Sequence, residues 1–124
     1  MSGRTRRRAR RFGRTAEACC AGLLRLKGFH ILARDFRAPV GEIDIIARKG
    51  RLLAFIEVKA RRSTIHAPAE EVLTASQRKR IIRAAEAFMM TRPDLAGLDL
   101  SFDLMLVGRW RWPQHIMAAW RPDR

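Results

Sequence analysis

Residues 41–60 read GEIDIIARKGRLLAFIEVKA, and the fold follows from how these twenty positions pair. Two runs rich in Ile, Val, Leu and Phe, 42–48 and 51–59, flank Lys49 and Gly50, the pattern of a tight β-hairpin. Four charged residues interrupt this apolar background: Glu42, Asp44, Glu57 and Lys59. With Lys49 and Gly50 as the turn, Glu42 opposes Glu57 and Asp44 opposes Phe55. The two-residue side-chain period then puts Glu42, Asp44, Glu57 and Lys59 on one face and Ile43, Ile45, Ile56 and Val58 on the other. Asp44 and Glu57 become diagonal neighbours with backbones about 7–8 Å apart, close enough for their carboxylates to converge on one ion. A hard divalent cation takes oxygen ligands, commonly one or two carboxylates with waters and phosphate. Lys59 beside it could orient a water or stabilise charge on a phosphate. A cross-strand ladder of ion pairs would account for the same pattern without any metal.

Outward from the hairpin, residues 29–37 read as a further strand, separated by Pro39 and Gly41 from the strand that follows. Residues 12–27 carry Ala16, Cys19, Cys20, Leu23 and Leu24 on one helical stripe, and Gly28 ends it. Glu17 sits at the edge of that stripe, as a first-turn acid would. Residues 60–73 read as a loop. Thr74 and Gln77 fit a capping box, opening a helix that stops before Pro93. Its apolar stripe is Ile81, Ala85, Phe88 and Met89, beside a basic shoulder of Arg78, Lys79, Arg80 and Arg83. Residues 98–107 alternate as a last long strand. The Trp-rich stretch after it, with Trp110, Trp112 and Trp120, has no clear type and could stack on bases, pack in the core or meet a second copy.

The chain has 124 residues, 48% of them apolar and 31% charged, enough for one folded domain. Lys and Arg number 26 against 12 Asp and Glu, a net charge of +14. Residues 1–14 alone carry Arg4, Arg6, Arg7, Arg8, Arg10, Arg11 and Arg14 without an acid. A self-repelling, disordered tail over residues 1–11 is expected, ahead of a domain at 12–124. Such a surface suits a polyanion, and nucleic acid is the expected partner. Base composition of the genome could also enrich Arg. The longest apolar run, Leu52–Ile56, is far too short to span a membrane, and no apolar core of a signal peptide follows the basic N-terminus. Cys19 and Cys20 lack metal-ligand spacing, and with His30, His66 and His115 far apart zinc has little support. The cysteines read as small core residues of a reduced, cytoplasmic protein.

GEIDII and FIEVKAR, with GRTAE on the preceding helix, a basic helix after them and an SFDL strand, closely resemble the YraN family of uncharacterised endonuclease-like bacterial proteins. That family is placed in the PD-(D/E)XK nuclease superfamily, distantly similar to archaeal Holliday junction resolvases, and the resemblance covers residues 12–121. It implies an α/β fold with a restriction-endonuclease-like core: helix, three strands, helix and strand, with a mixed central sheet flanked by helices. The residue pattern by itself gives the same order. The resemblance implies Asp44 as the acid of the first catalytic strand, Glu57 and Lys59 as the E-x-K pair, and Glu17 as the helix glutamate completing the set. Asp44 and Glu57 would hold Mg²⁺ or Mn²⁺. Arg6, Arg7, Arg8, Arg10, Arg11, Arg61, Arg62, Gln77, Arg78 and Arg80 are the expected nucleic-acid contacts. Gln77 stands where the family often has Lys, and Ser101 where an Arg often precedes the Phe-Asp pair, leaving Asp103 without that neighbour. The implied activity is metal-dependent hydrolysis of DNA phosphodiesters, with branched or flapped structures as candidate substrates and DNA preferred to RNA. A homodimer would suit two-fold junctions. The competing expectation is a non-catalytic nucleic-acid-binding or adaptor module on the same fold, since fold does not fix function.

Overall fold

The computed structural model describes residues 3–60, 72–108 and 112–122, with side chains from residue 14 onward. Helix α1 (Gly3–Leu26) leads into strands β1 (His30–Ala38), β2 (Gly41–Lys49) and β3 (Leu52–Ala60); helix α2 (Ala75–Thr91), a 3₁₀ turn (Pro93–Leu95), β4 (Asp99–Val107) and β5 (Gln114–Trp120) follow. The strands form one mixed sheet in sequence order, β3 and β4 parallel and every other pair antiparallel. Helix α2 makes the crossover that a parallel pair requires. This is an α/β fold consistent with a nuclease-like core, with a fifth strand from the Trp-rich stretch that the sequence left untyped. Helix α1 starts at Gly3 rather than near residue 12. Arginine is a good helix former, and no proline interrupts the run.

Alternation within the strands divides the interior into two cores. Leu53, Phe55, Phe102 and Leu104 turn toward α2 and meet Ile81, Ala84, Ala85 and Phe88. Ala54, Ile56 and Met105 turn toward α1 and meet Cys20, Ala21 and Leu24. Both faces of the central strands are therefore covered, which explains their nearly continuous apolar runs. Cys20 is fully buried, as expected of a small core residue, whereas Cys19 is exposed.

Helix α2 starts with the expected capping box: Thr74 accepts from the Gln77 backbone N–H, and the Gln77 side chain accepts from the Thr74 N–H. The start of β2 presses against this helix. A Cβ on Gly41 would lie 2.1 Å from the Arg80 carbonyl oxygen. Only glycine permits so close an approach of two backbones.

Candidate functional site

The hairpin turns at Gly50 and Arg51 rather than at Lys49 and Gly50, because Lys49 pairs with Leu52 and Ile45 with Ile56. Gly50, at φ 59°, occupies the first turn position, a left-handed conformation open to glycine. The register thus moves by two residues. Continued beyond Ile45 and Ile56 it sets Asp44 against Glu57 instead of diagonally across from it.

The regular pairing of β2 with β3 ends at that point. Alternation in β2 breaks there too: Ile43 and Ile46 both pack in the α2 core, while Ile45 and Ala47 pack in the α1 core. The expectation that Ile43 shares a face with Ile45 and Ile56 is therefore corrected. Asp44 occupies the break, and its Oδ2 accepts a hydrogen bond from the Val58 backbone N–H at 2.8 Å. A carboxylate takes the place of a ladder carbonyl, which fixes its position from the backbone itself. Its carboxyl lies near enough to that of Glu57 for each to bear on the other's protonation.

Both carboxyls are perturbed. Burial pushes the Asp44 carboxyl up, opposed chiefly by the Val58 hydrogen bond. Burial pushes Glu57 up to about 8, with the Asp44 charge adding to the rise and Lys59 opposing it. Burial disfavours the charged form of both, and the Asp44 charge adds to the rise at Glu57, so the pair keeps a proton to higher pH than free carboxyls do. Lys59 Nζ lies 3.8 Å from Glu57 Oε1. Glu42, Glu57 and Lys59 line a small cavity of about 110 Å³ with Gln77, Arg80 and Ile81 of α2.

Glu17 approaches this group from α1. Burial raises its carboxyl, with a further rise from the Asp44 charge, while a hydrogen bond from Arg34 opposes both. Arg34 Nε stands 3.2 Å from Glu17 Oε1, so the helix glutamate is tied to β1. Cys20 borders the same acids, its thiol pushed up to about 12 mainly by burial. Arg34 and Glu42 are the site neighbours the sequence reading left out of the site. Glu42 was legible by its place on the acidic face; Arg34 was not, because a bulge between Ile31 and Ala33 resets the register of β1 against β2.

Of the expected nucleic-acid contacts, Gln77 and Arg80 border the carboxylate cavity, and Arg78 faces a separate one with Lys79. Arg61 and Arg62 lie outside the described residues, as do the side chains of Arg6, Arg7, Arg8, Arg10 and Arg11. Among the described residues no three His, Cys, Asp or Glu side chains form a metal-ligand group. A cation would therefore rest on the Asp44 and Glu57 pair. Two neighbouring, partly desolvated acids suit that role, since a divalent ion can offset both charges.

A second polar cluster was not foreseen. Asp103 is fully buried and accepts from Ser101 Oγ, from the Ala118 N–H at 3.0 Å and from His115 Nε2 at 2.8 Å. Lys27 Nζ lies 2.6 Å from His115 Nδ1, which assigns the ring proton to Nε2. Ser101 and His115 thus serve the acid that the resemblance left without its usual arginine. The chain Lys27–His115–Asp103–Ser101 joins the end of α1 to β4 and β5.

The architecture defines the class: an α/β domain with a five-strand mixed sheet and two helices, consistent with a nuclease-like core. The uncharacterised protein family UPF0102 matches residues 16–107. A UPF0102 protein of Paramagnetospirillum magneticum is 47% identical over 97% of this chain and 95% of its own length. One from a Bradyrhizobium species is 52% identical over 88% of this chain and 76% of its own, and one from Parvibaculum lavamentivorans is 46% identical over 92% and 84%. The chain belongs to family UPF0102, the YraN family of the sequence resemblance. No helix among the described residues is long and apolar enough to cross a membrane.

Proposed function

We propose that the protein is a metal-dependent nuclease that hydrolyses phosphodiester bonds in DNA. The carrying observation is Asp44, held by the Val58 N–H where the regular β2–β3 pairing ends, beside half-buried Glu57 and Lys59. Asp44 and Glu57 would hold Mg²⁺ or Mn²⁺. When bound, the cation supplies Lewis-acid polarisation of the phosphate and a more acidic water. The Val58 hydrogen bond keeps Asp44 oriented. Lys59 places a positive charge next to Glu57, where it can orient the attacking water and stabilise charge growing on the phosphoryl oxygens. Gln77 and Arg80 across the cavity supply donors for a neighbouring phosphate. Glu17 acts indirectly, its charge bearing on Asp44 while Arg34 anchors it.

Purified protein incubated with junction, flap and duplex DNA in Mg²⁺ or Mn²⁺ tests the proposal. Cleavage should require the metal, and Asp44→Ala and Lys59→Ala should abolish it. Cleavage retained by both variants would overturn it. A second reading, nucleic-acid binding without catalysis, is favoured by the Arg34 tether on Glu17 and by the lack of a three-ligand metal group among the described residues. Salt-sensitive DNA binding with no divalent-ion uptake by calorimetry would select it.

A further inference from the structure

The polar chain that joins the end of α1 to β4 and β5 plays no part in the carboxylate site, and its members differ in exposure. Asp103 is fully buried and the His115 side chain is only 3% exposed, whereas Lys27 is half-buried. His115 Nε2 donates to Asp103 Oδ2 at 2.8 Å, and Lys27 Nζ reaches the other ring nitrogen, Nδ1, at 2.6 Å. Ser101 Oγ and the Ala118 N–H also donate to Asp103 and fix its carboxylate in place. The member nearest solvent is thus an amine; it rests on an imidazole, and a buried acid orients the imidazole from behind. A nucleophile, a base and an orienting third group within hydrogen-bond reach make the arrangement that activates side chains for covalent chemistry.

A second lysine shows what is particular to the first. Lys27 Nζ and Lys49 Nζ both lie over the Phe29 ring, 5.9 and 5.8 Å from its centroid, and His115 meets the same ring edge-on at 5.9 Å. The two amines therefore share a cation–π neighbour, but the hydrogen bond to His115 belongs to Lys27. Lys49 is the more exposed, so access alone would make Lys49 the faster to react.

We propose that Lys27 is an acylation site, an amine nucleophile that takes acyl groups from thioesters, with His115 as its base and Asp103 as the positioning residue. It lies outside the carboxylate cavity and does not depend on the nuclease reading. A lysine near neutral pH is almost wholly an ammonium and must shed a proton before it can attack. At this site the proton passes from Nζ to His115 Nδ1, and the freed amine attacks the thioester carbonyl. The N–C bond forms, the C–S bond breaks, and the sulfur leaves with the bonding pair. His115 returns its proton to that thiolate, and a second Nζ proton goes to water as the amide forms. A base that hands its proton on to the leaving group serves acyl transfer in particular. The product amide keeps one N–H toward His115 and carries no charge.

Full-length protein incubated with the S-acetyl thioester of N-acetylcysteamine, followed by quantitative mass spectrometry of Lys27, Lys49, Lys59 and Lys79, tests the site. At about pH 7 Lys27 should acylate at least about tenfold faster than Lys49, and in urea-unfolded protein the two rates should converge. From about pH 7 to 9 the Lys49 rate should climb as for an amine that loses its proton to water. The Lys27 rate should stay nearly flat, because its proton is held within the chain of side chains. His115→Gln offers Lys27 an acceptor but no base, and should bring its rate down to that of Lys49 or below. The wild-type ratio and pH profile need no variant, so the test stands even if this one fails to fold. A hydrogen bond that only ties α1 to the sheet would shield the ammonium and leave Lys27 slower than Lys49. That order of rates, a ratio that persists in urea, or parallel pH profiles for the two lysines would overturn the site.

Discussion

Replacing Glu57 with Gln should abolish a pH dependence of stability that the wild-type chain owes to its carboxylate pair. In the unfolded chain Glu57 loses its proton near 4.5, whereas in the fold burial and Asp44 hold it to about 8. Between these values the folded state binds the extra proton, so the stability is fully present below about 4.5 and is lost as pH rises through about 8. At 1.36 kcal/mol per unit that rise sets a ceiling of roughly 5 kcal/mol. Its side chain is only 17% exposed, so solvent screening takes little from this figure. The linked titration of Asp44 and the ion pair with Lys59 take more, leaving an expected loss of about 2–3 kcal/mol by about pH 9. Glutamine keeps the shape but cannot ionise. Urea unfolding at about pH 5, 7 and 9 should show wild type weakening while Glu57→Gln stays level. Mg²⁺ should restore the wild type at high pH by replacing the lost proton, and should do little for the variant. Parallel pH profiles for the two proteins would refute the account of a retained proton.

Three further outcomes follow from single residues. Asp44→Asn keeps an oxygen for the Val58 N–H and removes a buried charge, so near pH 8 it should melt no lower than wild type, while single-turnover DNA cleavage falls about 10³-fold. Gly41→Ala places a Cβ against the Arg80 carbonyl and should cost about 2–4 kcal/mol in urea unfolding by prising β2 from α2. Asp103→Asn turns an acceptor for Ser101, His115 and Ala118 into a group that carries donors of its own. It should cost about 2–4 kcal/mol by the same measurement, without changing Mg²⁺ uptake at Asp44 and Glu57.

The elements were legible in the sequence wherever one local rule decided them. The capping box at Thr74 and Gln77, the Pro39–Gly41 break and the alternating last strand all act within a few residues. The hairpin register was misread because Gly50 could serve as either turn residue, and its left-handed φ makes it the first. A shift of two preserved the faces of Asp44 and Glu57, so the acids still met. Local rules could not reveal the Asp103 cluster, whose partners Lys27 and His115 lie 88 residues apart. Nor could they place Ser101, whose value depends on a strand that begins at Gln114.

What period-two reasoning missed at Asp44 bears most on function. Within a continuous β2 the alternation instead breaks at Ile43–Ile45, and Asp44 supplies the acceptor for the Val58 N–H. The GEID motif therefore has a backbone reason for its glycine, the Arg80 contact, and a backbone reason for its aspartate, so the presence of both residues is not by itself an argument for chemistry. The surplus over that structural need is what argues for it. An amide would satisfy Val58 equally well and spare the fold a second half-buried carboxyl beside Glu57. On the proposed function, the chain carries the costlier acid where a divalent cation and a phosphate would turn that cost into binding.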